Sequence, residues 1–256
     1  MKQIQPEEEI QKISYFLKNT FQKTGLSNAM IGLSGGVDSA VSLSLTARAL
    51  GGENIFPMLL PYGVLSTQGT LDAMEMIQSV GIPTKNIIRI DIQPVVDMLS
   101  RVTLPDEVRK GNSMARTRMI CLFDQAKKHS ALVVGTENKT EHYLGYFTRF
   151  GDEASDIEPI RHLWKTQVYE VARALGVTEA ILKKAPTAGL WPGQTDEEEF
   201  GFTYADADRI LSMSIEEKLP IESIIHAGIP SNIIHLVLAR VSSMEFKRKT
   251  PYVYTP

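Results

Sequence analysis

Gly32-Leu33-Ser34-Gly35-Gly36-Val37-Asp38-Ser39 lies where an apolar run of strand length, Ala29–Leu33, gives way to Ser39–Leu50, a helix-like stretch whose only charge is Arg48. A strand-to-helix turn of this kind is an anion site in a parallel α/β sheet. Ligands collect at the carboxyl ends of the strands, and a helix N-terminus offers free N–H groups and a favourable dipole. Gly35 and Gly36 let the backbone approach an anion with no side chain in the way, while Ser34 and Ser39 add hydroxyls. Asp38 is the odd member, because a carboxylate beside phosphate is repulsive unless a cation lies between. It points to Mg²⁺ held jointly by Asp38 and phosphate oxygens. The familiar alternatives are absent: the chain has no Gly-Lys dipeptide, and no two of its glycines lie two positions apart.

Outward from this turn, helix-like and strand-like stretches alternate. Upstream, Pro6 and three glutamates open a helix over 6–24, with Ile10, Ile13, Phe16, Leu17 and Phe21 at helical spacing. Downstream, strands are expected at Ile55–Leu60, Ile87–Ile90 and Ala131–Val134. Helices are expected at Thr67–Val80 and from Ser113, with Asn112 as its N-cap, to Lys128. Strands that are apolar throughout, each followed by a helix, indicate a parallel sheet covered on both faces. Beyond about residue 150 the pattern is helical: Thr166–Leu175, Thr178–Lys183, Tyr204–Met213 and Ser231–Phe246. Two stretches read as mobile loops, Leu104–Gly111 and Gly189–Gly201. The second, GLWPGQTDEEEFG, is either a solvated acidic loop or a lid over a site.

Composition narrows the field. The chain has 256 residues, with 27 Lys and Arg against 30 Asp and Glu, a net charge of −3 that gives no basic footprint for nucleic acid. Its single cysteine, Cys121, rules out an intrachain disulfide, a cysteine zinc cage and a two-cysteine sulfur relay. The five histidines show no metal-binding spacing, and no serine–histidine–aspartate set can be argued. No apolar run is long enough for a membrane span, and the acidic start is no signal peptide, so a cytoplasmic protein is expected.

The glycine turn resembles the pyrophosphate loop of the N-type ATP pyrophosphatases, which cleave ATP to AMP and pyrophosphate while adenylating a substrate oxygen. Further motifs choose among them. Ala115-Arg116-Thr117-Arg118-Met119, VVGTENKTE at 133–141, LGYFTRFGD at 144–152, DIEPI at 156–160, Lys165, KAPTAGL at 184–190 and WPGQTDE at 191–197 are similar, in that order, to the NAD synthetases. The resemblance spans about residues 30–250. It implies one doubly wound α/β domain over residues 1–256 with a five-stranded parallel sheet and no glutamine amidase domain, hence an ammonia-dependent enzyme. The substrates implied are ATP, deamido-NAD and ammonia, with Mg²⁺ as cofactor. A homodimer is implied whose interface helps form the deamido-NAD site. The apolar faces of the 6–24 and 112–129 helices serve either that interface or the core.

Carried over by position, Gly32, Leu33, Ser34, Gly35, Gly36, Val37, Asp38 and Ser39 would hold ATP, together with Thr136, Lys165 and Thr187. Asp38 and Glu141 would be the Mg²⁺ carboxylates, and Arg116, Arg149, Asp156, Phe246 and Lys247 would contact deamido-NAD. No residue is expected to act as a covalent nucleophile. Without the resemblance, Glu141 reads as a solvated helix acid and Lys165 as a solvated lysine at a helix start. Two positions depart from the commoner family pattern: Arg149 replaces a lysine, and Phe246 replaces a histidine. An ATP-splitting enzyme with another acceptor and a catalytically idle nucleotide sensor are the alternatives to this assignment.

Overall fold

Pro6 at the first helical position and Glu7, Glu8 and Glu9 in the first turn open α1 (Pro6–Thr24), which closes on Gly25 at φ 72°. The computed structural model describes residues 1–254. After α1 come β1 (Asn28–Gly32), α2 (Val37–Leu50), β2 (Ile55–Leu59), α3 (Thr67–Ser79), β3 (Ile88–Arg89), α4 (Gln93–Thr103), α5 (Glu107–Lys128) and β4 (Ala131–Val134). Helices complete the chain: α6 (Lys139–Leu144), α7 (Lys165–Ala174), α8 (Glu179–Leu182), α9 (Asp196–Phe200) and α10 (Tyr204–Leu211). A π-helical turn over Ser212–Glu216 then leads to α11 (Ile221–His226), α12 (Ser231–Ser243) and α13 (Glu245–Arg248). None of the described helices is long and apolar enough to cross a membrane.

The sheet order is β3-β2-β1-β4 and every pairing is parallel. Residues of β1 alternate between faces. Ala29 and Ile31 join Leu17, Val41, Leu45 and Val171 in one core, whereas Met30 meets Met58, Met114 and Val133 in another. The sheet is thus covered on both faces, as its apolar strands require. A third cluster, with Trp164, Phe200, Ile210, Ile234 and Val237, packs the later helices together. Because β2 and β4 lie on opposite sides of β1, the chain reverses direction across the sheet at β1 and β4. The carboxyl ends of those two strands frame the crevice where such sheets bind ligands.

The sheet has four strands, not five. At the place of a fifth, Ile157 makes one parallel bridge to Val134, and Gly135 N donates to Ile157 O at 2.8 Å. Pro159, two residues on, has no N–H with which to extend the ladder. The 104–111 segment is a loop only over 104–106, the link between α4 and α5; residues 107–111 are helical. Asp106 accepts from Arg109 N at 2.8 Å and starts α5 six residues before Asn112, which lies inside the helix and accepts from the Thr148 hydroxyl at 2.7 Å. Of the α1 apolar set, Ile10, Ile13, Leu17 and Phe21 are buried in the chain's own core, whereas Phe16 is exposed.

Candidate active site

The glycine turn is held by its own side chains. Ser39 Oγ donates to Gly36 O at 2.9 Å and lies 3.2 Å from Ser34 Oγ, which accepts from Gly36 N at 3.2 Å. Gly35 has φ +77°, and a Cβ there would overlap the Gly69 carbonyl; a Cβ on Gly69 would overlap the Ser34 carbonyl. Two backbones therefore touch, the turn and the first turn of α3. No side chain caps the start of α2, so its first N–H groups face this turn. Gly69 carries no polar group and sits outside any phosphate motif, so nothing in the chain's spacing singles it out.

Three side chains expected at the site converge. Lys165 Nζ donates to Asp38 Oδ2 at 2.6 Å and to Glu141 Oε1 at 2.9 Å. Lys165 is only 3% exposed, so it is no solvated helix-start lysine, and the Glu141 side chain, at 16%, is no solvated acid. The arrangement follows from three elements: α2 supplies Asp38, α6 supplies Glu141 and the first residue of α7 is Lys165. Asn138 ties two of them. Its Nδ2 donates to Asp38 Oδ1 at 2.9 Å, while its Oδ1 caps α6 by accepting from Glu141 N at 3.0 Å. Burial pushes the Glu141 carboxyl up to about 8, with Lys165 opposing and the Asp38 charge adding. Burial also works against the Lys165 charge, but Asp38 and Glu141 outweigh it and hold the ammonium well above its ordinary value.

Two carboxylates meeting on one cationic atom also suit a hard divalent cation. Among the described residues, no group of three or more His, Cys, Asp or Glu could hold a metal unaided. Asp38 and Glu141 would therefore suit Mg²⁺ only together with oxygen ligands from a bound substrate.

The other expected residues are more scattered. Thr136 is half-buried on the link from β4 to α6, and Thr187 is exposed, its hydroxyl accepting from Gly189 N at 3.0 Å. Arg116 is exposed and its Nε donates to Arg149 O at 3.2 Å; Arg149 stacks over Phe246 at 5.1 Å. Lys247 Nζ donates to Gly145 O and Phe147 O, both at 2.7 Å, and so clamps the chain after α6. Asp156 Oδ2 accepts from Val133 N at 2.8 Å, bracing β4. Arg118, two residues after Arg116, is half-buried and reaches Leu60 O at 3.1 Å.

The acidic 189–201 stretch is not a loop throughout, since its residues 196–200 form α9, and it is neither free nor wholly solvated. Asp196, 3% exposed, accepts from the hydroxyls of Tyr146 and Tyr204, both at 2.9 Å, and from Ala188 N at 3.0 Å. Tyr204 also reaches Glu141 at 3.4 Å, so the loop is anchored against the carboxylate site itself.

A second buried acid bears on stability. Burial pushes the Glu158 carboxyl up to about 7, with Glu137 adding and Ser155 and Arg161 opposing. In the unfolded chain it ionises near its ordinary value of 4.5, so between 4.5 and 7 the folded state holds the extra proton and stability falls as pH rises. Glu158→Gln is expected to flatten that slope. The difference in unfolding free energy between pH 5 and pH 8, measured by urea titration, should narrow by on the order of 2–3 kcal/mol. An unchanged pH dependence would contradict the assignment.

A phosphate-type turn at the switch point of a doubly covered parallel sheet, faced by two carboxylates and a lysine, defines a nucleotide-binding α/β protein. The chain belongs to the NAD synthase family, whose model matches residues 9–251. It is 42% identical over 243 residues to the NH(3)-dependent NAD(+) synthetase of Chlorobaculum tepidum, covering 93% of this chain and 85% of that one. It is 38% identical over 239 residues to the corresponding protein of Fusobacterium nucleatum, covering 93% and 92%. Among solved structures, NMN synthetase from Francisella tularensis superposes with a TM-score of 0.86 at 35% identity over 99% of both chains. NH3-dependent NAD synthetase from Campylobacter jejuni superposes with a TM-score of 0.82 at 26% identity, over 99% of this chain and 100% of that one.

Proposed function

We propose that this protein is a carbon–nitrogen ligase that amidates deamido-NAD with ammonia at the expense of ATP, yielding NAD, AMP and diphosphate. The observation that carries this reading is the convergence of Asp38, Lys165 and Glu141 beside the glycine turn, in a chain of the NAD synthase family. A nicotinate carboxylate oxygen attacks the α-phosphorus of ATP, and the bond from that phosphorus to the departing diphosphate breaks. Ammonia then attacks the acyl carbon of the adenylated nicotinate. AMP leaves with the former carboxylate oxygen, and one proton is released.

The chain's part is alignment and charge compensation. The glycine turn and the start of α2 receive the triphosphate. Of the three N–H bonds on the Lys165 ammonium, two are engaged by carboxylates and one remains for a phosphate oxygen. Asp38 and Glu141 would hold Mg²⁺, which neutralises charge on the departing diphosphate. Thr136 and Thr187 belong to the ATP side, and Arg116, Arg149, Asp156, Phe246 and Lys247 to the acid substrate. Neither step needs an enzyme nucleophile, and burial pushes the one thiol, Cys121, above its ordinary value. Ammonia, rather than glutamine, is the nitrogen source for this domain, and a cytoplasmic location suits these substrates.

Pairing of two chains is part of the proposal. Val95, Met98, Leu99 and Val102 form one stripe along α4, all exposed, and Leu104 and Val108 extend it to the start of α5. This stripe is the surface offered for a dimer. Gly69 belongs to the ATP side as well. Gly69→Ala is expected to push the glycine turn out of place and raise the KM for ATP by about tenfold or more, against an unchanged KM for the acid substrate. Steady-state kinetics in both substrates checks it, and an unaltered KM for ATP would refute it.

A second reading of the acid substrate is nicotinate mononucleotide, favoured by the close superposition on the structure named NMN synthetase. The carboxylate chemistry is the same. Purified protein with ATP, Mg²⁺, ammonium and either acid separates the two, by which acid gives amide with AMP and diphosphate. ADP and orthophosphate as products would overturn the proposed function.

A further inference from the structure

Resting on the ligase reading above, we infer that Asp208 is a positioning residue that sets where Glu141 and Lys165 meet. Asp208 lies on α10 and is fully buried, 0% exposed. It accepts from the Thr140 hydroxyl at 2.5 Å, from Thr166 N at 2.8 Å and from the Thr166 hydroxyl at 2.8 Å. These two residues flank the site in sequence: Thr140 immediately precedes Glu141, and Thr166 immediately follows Lys165. Thr140 Oγ1 in turn accepts from Lys165 N at 2.8 Å. One carboxylate therefore ties the first turn of α6 to the first turn of α7, through backbone as well as side chains.

A buried carboxylate with no cation on its oxygens is costly unless several donors converge on it. Filling space in the third cluster would be met by an apolar residue. What the carboxylate adds is acceptor capacity for three donors drawn from two different helices. Tyr204, one turn before Asp208 on the same helix, works from the same side. Its ring lies 4.9 Å from Lys165 Nζ, and its hydroxyl reaches Asp196 at 2.9 Å and Glu141 at 3.4 Å. α10 thus backs the carboxylate pair. The group that joins it to the backbone on both sides is Asp208.

The test uses Asp208→Asn and Thr140→Val in the full-length protein. Asparagine keeps the shape of the side chain but lacks the acceptor pair that three donors require, and valine removes the relay hydroxyl. Each variant is expected to lose kcat by about 30-fold or more, because a shift of about an ångström in reacting groups costs on the order of 100-fold. The KM for the acid substrate stays within about threefold, since that side of the site is held by other elements. The rise in unfolding temperature produced by Mg²⁺ with a non-hydrolysable ATP analogue should shrink to less than about half of the wild-type rise. Thr140→Ser, which keeps the hydroxyl, recovers most of what valine loses. The double variant is no slower than Asp208→Asn alone, because both lie in one chain of hydrogen bonds. Folded Asp208→Asn with kcat within about threefold of wild type, or with a full ligand-induced temperature rise, would overturn the inference. If Asp208→Asn does not fold, Thr140→Val decides by the same criteria. Wild-type protein that makes no amide at all would instead defeat the ligase reading, and the two failures are read from different samples.

Discussion

Lys165→Met is expected to be inactive and unstable together, losing kcat by about three orders of magnitude and about 3–5 kcal/mol of folding free energy. The reason is electrostatic. Lys165 is the cation that both Asp38 and Glu141 bond, at 2.6 and 2.9 Å, and it is 3% exposed. Methionine fills the volume of the stem and leaves the Asp38 carboxylate without its cation in a poorly hydrated space, beside a Glu141 carboxyl that burial already drives toward its neutral form. Breaking a buried ion pair by removing one partner costs more than the pair contributes, because the remaining charge has no compensation. If Asp38 and Glu141 hold Mg²⁺ as proposed, the ion would replace the missing positive charge, so added Mg²⁺ should restore much of the lost stability without restoring turnover. Thermal unfolding with and without Mg²⁺, beside NAD formation, checks both halves. A variant as stable as wild type in the absence of Mg²⁺ would contradict this account of the cluster.

Glu141→Gln should separate the two properties that Lys165→Met lowers together. Turnover falls by about 100- to 1000-fold, since glutamine offers a divalent cation a neutral oxygen instead of a charged one. Stability, in contrast, holds or rises. Glutamine can still accept from Lys165 Nζ, and the substitution removes a carboxyl that burial already pushes up to about 8. Lys165 and Asp38 are then left as a simple one-to-one pair. The measurements are kcat as a function of Mg²⁺ and a urea midpoint without metal. Turnover at the wild-type rate would remove Glu141 from the metal site. A loss of several kcal/mol in the absence of metal would mean that its charge is structural.

Much of this arrangement is legible in the amino-acid sequence. Ser34, Gly35, Gly36 and Asp38 form a compact local motif whose chemistry is carried by residue type and spacing, and apolar runs at Ala29–Leu33 and Ala131–Val134 place it at strand ends. What stays hidden there depends on distant partners. Lys165 looks solvated in sequence because nothing nearby says that α2 and α6 will close over it. Asn138 looks like an ordinary helix cap, and its second bond, to Asp38, spans 100 residues. Gly69 and Asp208 matter through contacts with Ser34 and Thr140 that no periodicity encodes. The missing fifth strand is a failure of the opposite kind. Ile157 does pair with Val134, but Pro159 limits the pairing to one bridge. The helix α4 escapes a reading by core periodicity because its apolar residues Val95, Met98, Leu99 and Val102 face outward.

The acid substrate's own carboxylate is expected to attack the α-phosphorus while Asp38, Lys165 and Glu141 compensate the charge that leaves. Deamido-NAD carrying ¹⁸O in its nicotinate carboxylate tests it directly, with the products resolved by mass. One labelled oxygen per turnover should appear in the phosphoryl group of AMP, and the other should stay in the amide of NAD. Label found in orthophosphate beside ADP, or absent from AMP altogether, would contradict attack at that phosphorus.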